Sequence, residues 1–434
     1  MDNRLGKNIA FSFVEKGGIL VSQFISSVLL SKYLPREQLG MLAVMSGAFA
    51  FLQFANVSLE NILIRDFHEH KERIHDSLSQ FFSFNMYKSL FLATIALGIG
   101  SFYYYSTGSS AFLLAALSLI SVLVMDIWVS PLILYSTTVF EQKLVTKISF
   151  VRWGLNLLGL LLLIKWPDIK VVLGKDIVVF LTTIGCWKMA SRKTLNLKIN
   201  FVKINWSFVR ETFVGYAFYV HLLGVSSAII YKADGFILYY FAPLAVIGKY
   251  NIALTLANVA SVIPSVLVAQ NNVALSHCHD LSESKRITAR FLRFSILIGL
   301  VSFIGFAVLG IPYLYVVAPS DQNEIYHYLL FIVGGLLLVK MIVAPLVAFI
   351  NMKGDVKSLL LKVQLPILII ALLNYCLFSY FLGARGAAIS NLLNGFIWFL
   401  LILKEVKKYQ FEFSELGTFK EDFLLMKNFM KQFI

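Results

Sequence analysis

Four ionisable residues stand in the middle of long apolar runs: Lys88, Asp126, His221 and Lys340. Glu15, Lys16, Glu60, Arg152 and Glu211 interrupt such runs nearer one end, and Lys249 nearer the other. If the runs cross a bilayer, a charge at mid-depth costs about 2.5–3.5 kcal/mol on insertion scales, so it should face water or a partner rather than lipid. Ammonium and guanidinium groups in a wet cavity suit phosphate or carboxylate oxygens through charge-assisted hydrogen bonds. Lys88, Lys340, Arg152, Lys249 and Lys16 are therefore candidate ligands for an anionic solute. Asp126, Glu15 and Glu60 are carboxylates that could take a proton or a sodium ion, or could pair with a cation and simply hold helices together. Asp126, for instance, could neutralise Lys88 or Lys340. His221 could relay protons near neutral pH, although a lone histidine on an apolar helix can equally be satisfied by a neighbour. Arg152 and Lys249 lie close enough to the run ends to snorkel toward headgroups.

The elements that must position these residues follow from composition. Of 434 residues, 58% are hydrophobic and 14% charged, against roughly 25% charged in soluble domains. Mean hydropathy is +0.77. A water-soluble core cannot absorb that much apolar surface, and the pattern predicts an all-α integral membrane protein. Apolar runs bounded by charges, Gly or Pro predict about twelve spans. The first six are Ile9–Ser31, Leu39–Ile64, Leu78–Tyr104, Ala111–Thr138, Ile148–Trp166 and Val171–Ala190. After a basic stretch come Phe208–Tyr231, Leu244–Gln270, Ala289–Val317, Ile325–Asn351, Ser358–Phe381 and Gly386–Leu403. No separate soluble domain fits. The predicted division is a six-helix lobe over 1–190, a basic linker over 191–207, a second six-helix lobe over 208–403 and a tail over 404–434.

With the N-terminus inside, about 26 of the Lys and Arg residues fall on the cytoplasmic side and about 7 outside. That bias places both termini in the cytoplasm, and the net charge of +14 reads as topology signals rather than as a nucleic-acid footprint. The largest basic group, Lys188 to Arg210 with Phe201, Trp206 and Phe208 interleaved, reads as an elbow on anionic headgroups. Beyond the last span, Phe419, Phe423, Met426, Phe429, Met430 and Phe433 recur at helical spacing, as an interfacial amphipathic helix would show. The apolar stretch after Met1–Asn8 is long and carries no small-residue cleavage pattern, so it reads as a retained helix. Cys186, Cys278 and Cys376 have unrelated spacings and predict neither a disulfide framework nor a zinc site. The loop histidines His68, His70, His75, His277 and His279 lack further ligands at suitable spacing, so no metal is expected.

The halves are related. Leu34-Pro35-Arg36-Glu37-Gln38-Leu39-Gly40 joins spans one and two, and Ala242-Pro243-Leu244-Ala245-Val246-Ile247-Gly248 joins spans seven and eight. Proline precedes glycine by five positions in both, about 208 residues apart; six spans per half make these parallel repeats about an axis along the membrane normal. Two lobes with a central cavity between them are the expected architecture.

Two stretches resemble a known family. Asp234-Gly235-Phe236-Ile237-Leu238 through Ile247-Gly248-Lys249-Tyr250 is similar to the signature that opens the second half of the polysaccharide-transporter branch of the multidrug/oligosaccharidyl-lipid/polysaccharide exporters, especially the Wzx-type O-antigen flippases. Leu382-Gly383-Ala384-Arg385-Gly386-Ala387-Ala388 resembles that family's glycine-and-alanine entry to its last helix. Gly235 stands where the family carries a basic residue, Lys232 lies two positions before Asp234, and Tyr239 occupies a position where glycine is common. The resemblance implies alternating access acting on an undecaprenyl-diphosphate-linked oligosaccharide in a bacterial inner membrane. Membrane lipids, a polysaccharide polymerase and chain-length proteins are the expected partners and no bound cofactor is expected, while the embedded carboxylates leave open both coupling to a proton or sodium gradient and a purely structural pairing. A membrane enzyme is disfavoured, because the loops are short and no P-loop, nucleotide-sugar motif or nucleophile constellation is present. A multidrug or metabolite exporter on the same fold is the alternative, and the surplus of embedded basic residues favours an anionic cargo over it.

Overall fold

The computed structural model describes residues 3–56, 74–139, 141–197, 201–214, 216–260 and 280–411, with positions 264, 268, 271 and 275 between the last two. Every regular element among the described residues is helical. The helices are α1 (Asn3–Tyr33), α2 (Arg36–Leu52), α3 (Ile74–Thr107), α4 (Ser110–Thr138), α5 (Gln142–Leu161), α6 (Ile169–Lys193) and the short α7 (Trp206–Phe213). They continue with α8 (Tyr216–Leu238), α9 (Leu244–Ala260), α10 (Leu281–Val317), α11 (Gln322–Leu338), α12 (Ala344–Lys353), α13 (Val356–Leu359) and α14 (Leu365–Val406). Each predicted span has a helix here, in whole or in part. Seven helices among the described residues are long and apolar enough to cross a membrane, and the continuous helix Val356–Tyr409 holds two predicted spans. The chain is a multi-pass membrane protein.

The seventh span differs from expectation. It was predicted to start at Phe208, but Asn205 caps a separate α7, its side chain accepting from Ser207 N at 3.2 Å and Phe208 N at 3.4 Å. Val214 is extended at its end, and α8 then runs on to Leu238. This moves the membrane helix by about two turns and brings Lys232 inside it. The last helix also runs to Val406, past the predicted start of the tail. Residues 412–434, with the predicted amphipathic helix, lie outside the described residues, as do Glu60, His68, His70, Lys198 and the sequence His277-Cys278-His279.

The chain forms two compact units, residues 1–255 with 316–321, and residues 256–315 with 322–434. In the first unit Leu78, Phe81 and Phe82 of α3 pack with Met125, Val129 and Leu132 of α4 and with Val145, Ile148, Val179 and Trp187 of α5 and α6. Asp168 starts α6 by accepting from Lys170 N at 2.9 Å. Helix α8 lies against α2, so close that a β-carbon on Gly47 would stand 2.6 Å from the Lys232 carbonyl oxygen. Compactness therefore groups α8 and α9 with the first half of the sequence, whereas the repeat pairs them with α1 and α2.

The repeated septapeptides meet within this unit. A β-carbon on Gly40 would lie 2.2 Å from the carbonyl oxygen of Leu244, and one on Gly248 would lie 2.0 Å from that of Arg36. Arg36 and Leu244 occupy equivalent places, directly after the two prolines. The contact is thus reciprocal, as a pseudo-two-fold relation between parallel repeats requires.

In the second unit two helices widen into single π turns, Val339–Val343 and Leu360–Gln364. Proline follows each closely, at Pro345 and Pro366. A proline ring clashes with the carbonyl four residues earlier and offers no N–H, and widening the preceding turn relieves the clash. The chain turns at Gly383, whose φ of 57° and ψ of −135° are open only to glycine. The expected glycine-rich entry to the last helix is therefore a hinge between two limbs of α14.

Candidate functional site

The predicted site residues divide between the two units. In the first, α3 and α4 align Lys88 with the middle of α4: Asn85 Nδ2 donates to Ile127 O at 3.0 Å, and Trp128 Nε1 donates to Ser89 Oγ at 3.1 Å. Lys88 is 6% exposed, with its Nζ 5.9 Å from the centre of the Phe84 ring. Asp126, next to this pair of bonds, accepts from Arg152 Nη2 at 3.1 Å, joining α4 to α5. Its expected partners were Lys88 or Lys340. Arg152 takes that place because α5 packs beside α4 and presents a fork long enough to reach the carboxylate.

The Asp126–Arg152 pair is accessible, with side chains 55% and 32% exposed. Lys232 of α8 is also exposed and is an electrostatic neighbour of Asp126. Charged groups that are open yet sit deep along apolar helices do not face hydrocarbon; such a position demands water or a polar ligand. His221, one of the mid-span residues, lies 3.1 Å through Nε2 from the Phe54 carbonyl oxygen and packs edge-on to Phe213, 5.9 Å between centroids. Charged or titratable residues of α3, α4, α5 and α8 thus share one region of this unit.

Lys232 was not among the predicted residues. The predicted seventh span ended at Tyr231, one residue short of it, because the run Lys-Ala-Asp-Gly looked like a boundary. A continuation of apolar residues from Phe236 to Phe241 was the signal available. A second group also escaped notice. Asp176 is buried in α6, where it pairs with Lys175 and accepts from Ser118 Oγ. Lys175 Nζ continues to Asn156 Oδ1 at 2.8 Å, and Asn156 Nδ2 to Ser26 Oγ at 2.9 Å. The chain of contacts ties α1, α4, α5 and α6 together.

Other expected residues stand apart. Glu15 is 8% exposed and receives Gln142 Nε2 at 2.6 Å and Ser149 Oγ at 3.2 Å, so it fastens α1 to α5. Lys16, beside it, is half-buried. Lys249 pairs with Asp321 at 2.9 Å, at the opposite end of the helices. Lys340 belongs to the second unit, in the π turn before Pro345, half-buried. π turns of this kind recur at functional sites, and this one re-aims the lysine relative to a continuous α-helix.

No protein-family model and no curated protein matches the sequence. Solved structures do match. The chain is similar to an inward-facing multidrug resistance MATE family transporter of the MOP superfamily, with 13% identity, a TM-score of 0.65, and coverage of 90% of this chain and 95% of that one. It is similar to the lipid II flippase MurJ in an inward closed conformation, with 15% identity, a TM-score of 0.66, and coverage of 92% and 87%. A eukaryotic MATE transporter matches at 11% identity with a TM-score of 0.60, over 96% of this chain and all of that one. What this chain shares with these proteins over nearly its whole length is the fold, that of an all-helical membrane transporter.

Proposed function

We propose that the protein is a flippase that carries an anionic lipid-linked saccharide across a bacterial inner membrane by alternating access between two six-helix lobes, 1–190 and 208–403. The observation that carries this reading is the accessible group at mid-helix, where Asp126 pairs with Arg152 at 3.1 Å, Lys232 is exposed on neighbouring α8, and Lys88 lies level with Asp126. More cations than carboxylates in this region leave capacity for further anionic oxygens, such as those of a diphosphate. The similarity to the lipid II flippase fold supports the lipid-linked part of the proposal, and the residues resembling the Wzx-type branch support the saccharide. Lys88, Arg152, Lys232, Lys340 and Lys16 are the proposed cargo ligands. Asp126 is the proposed coupling group. A proton or sodium ion on its carboxylate would release Arg152 to the cargo, linking ion entry to cargo binding. A polysaccharide polymerase and chain-length proteins are the proposed partners downstream, with both termini in the cytoplasm.

In cells lacking the protein, surface polysaccharide should fall while its lipid-linked precursor persists on the inner leaflet. Absence of the precursor itself would make the protein a biosynthetic enzyme and contradict the proposal. A second reading, a cation-coupled multidrug or metabolite exporter, is favoured by the similarity to the multidrug exporter fold and by the exposed carboxylate of Asp126. Restored polysaccharide without any change in drug susceptibility on re-expression decides against it.

A further inference from the structure

In the second unit, the corner where α12 passes into α13 and where α14 ends gathers Lys353, Lys357, Lys362, Lys404, Lys407 and Lys408 against two acids, Asp355 and Glu405. Both acids are already engaged. Asp355 caps α13, accepting from Lys357 N at 3.0 Å and Ser358 N at 3.1 Å, while buried Glu405 accepts from Ser358 Oγ at 2.7 Å and pairs with Lys408. Lys362, carried on the second π turn, is an electrostatic neighbour of the same carboxylate. Tyr409 fastens the end of α14 to this corner: its hydroxyl accepts from Asp355 N at 2.8 Å, and a β-carbon on Gly354 would stand 2.6 Å from that oxygen. Lysines of successive elements are thus held together, and among the described residues of the corner positive charge is in surplus.

Apolar surface begins where the lysines stop. Phe396, Leu400, Lys404 and Lys407 recur at helical spacing on one face of α14 and the turn after it, and all four are exposed. At 1.5 Å per residue the stripe is about 16 Å long, close to the roughly 15 Å depth of one leaflet's hydrocarbon. An exposed apolar stripe that ends in ammonium groups has the layout of an acyl chain with its phosphate, and the lysine stems cover apolar surface while their charged heads reach headgroup level. A free phosphate would use only the lysines. We propose that this corner binds an anionic glycerophospholipid, its phosphate held by Lys362, Lys404 and Lys408 and an acyl chain laid along Phe396 and Leu400. The distribution of Lys and Arg assigns the lipid to the inner leaflet. The site belongs to the second unit, whereas the charged group around Asp126 belongs to the first, and it can be tested without any cargo.

The test titrates purified full-length protein in neutral detergent with fluorescent phosphatidylglycerol and, separately, fluorescent phosphatidylcholine. The parent should bind the anionic lipid more tightly. Lys362→Gln combined with Lys404→Gln should weaken phosphatidylglycerol binding about fivefold for each lysine lost, with phosphatidylcholine unchanged, and the corresponding double arginine variant should keep the preference. Lys408 is left in place because buried Glu405 pairs with it. Lys188→Gln with Lys193→Gln removes the same charge from the end of α6 and should leave binding as in the parent. Equal binding of both lipids by the parent would overturn the site, and so would equal loss in the two glutamine pairs, which would mark general surface charge. Displacement by inorganic phosphate at matched ionic strength would show a free-anion site and contradict the lipid assignment. Phosphatidylglycerol binding that appears only after residues 412–434 are removed would make the surface a dock for the chain's own tail and would contradict it too. None of these results bears on whether the cargo is a lipid-linked saccharide.

Discussion

The end of the first unit near Pro35 and Pro243 and the middle of the same unit near Asp126 solve opposite problems. At the end, backbone meets backbone across two glycines, with no side chain between and no room for one. In the middle, a carboxylate of α4 pairs with a long, flexible side chain of α5 and both remain open to solvent, with an exposed lysine on α8. A contact built from main chain is rigid and has few states, which suits a closure that is either made or broken. A group built from Lys and Arg can exchange one anionic partner for another at small structural cost, which suits binding and release. On the proposed function, the difference would separate where the protein moves from where it holds its cargo.

The sharpest way to break this comparison is to place a side chain at the rigid end. Gly40→Val and Gly248→Val should each abolish transport, since overpacking against backbone costs about 1–3 kcal/mol and the carbonyl cannot rotate away. Gly17→Ala, where nothing lies within 4 Å, should transport normally and serves as the control. Surface polysaccharide and membrane abundance, measured together, check both. If Gly248→Val transported as well as Gly17→Ala, the outer contact would have no role.

A smaller effect is expected in the middle. Lys88→Gln and Lys232→Gln should each lower transport by roughly tenfold, the loss of one charge-assisted contact, with abundance unchanged. Arg at either site should restore part of the activity, because it keeps the charge but presents a wider fork. Full activity of the double glutamine variant at normal abundance would remove both lysines from the cargo site.

The smallest expected effect concerns the Asp126–Arg152 pair, which is too exposed to stabilise the fold by more than about 1 kcal/mol. Arg152→Gln and Asp126→Asn should therefore leave abundance near normal. They should differ in function: loss of Arg152 should weaken cargo handling, whereas loss of Asp126 should abolish dependence on the coupling gradient. A double variant that rescues a drop in abundance seen in either single variant would mark the pair as structural instead.

Much of this architecture can be read from the chain before any coordinates are known, and particular residues show why the remainder cannot. Span positions follow from apolar runs, because lipid leaves helices few alternatives, and helices stand in all twelve predicted regions. The Pro-x4-Gly repeat was visible as a pattern, yet the meeting of its two copies depends on α2 and α9 packing together, which sequence spacing does not state. Lys88, Asp126 and Arg152 were legible as costly charges. Their partners were not, since a charge within an apolar run gives depth but no azimuth around the helix, and so Asp126 was matched to the wrong cations. Lys232 falls one residue beyond the predicted span, because Lys-Ala-Asp-Gly reads as a boundary and the short capped helix that shifts the membrane segment onward leaves no mark in the apolar pattern. Glu15 looked like a coupling group from depth alone, but its bonds to Gln142 and Ser149 occupy it in joining α1 to α5.

The central claim is that the cations of the first unit near Asp126, buried Lys88 and accessible Arg152 and Lys232, bind the anionic part of a lipid-linked saccharide. Purified protein in liposomes, given a diphosphate-linked polyprenyl saccharide and its monophosphate counterpart, tests it most directly by the amount of each that becomes accessible on the far leaflet. The diphosphate form should be moved by the parent protein and about tenfold more slowly by a variant combining Lys88→Gln with Lys232→Gln, with the monophosphate less affected by the change. Equal translocation of both lipids by both proteins, or none by the parent while it expels organic cations, would contradict the account.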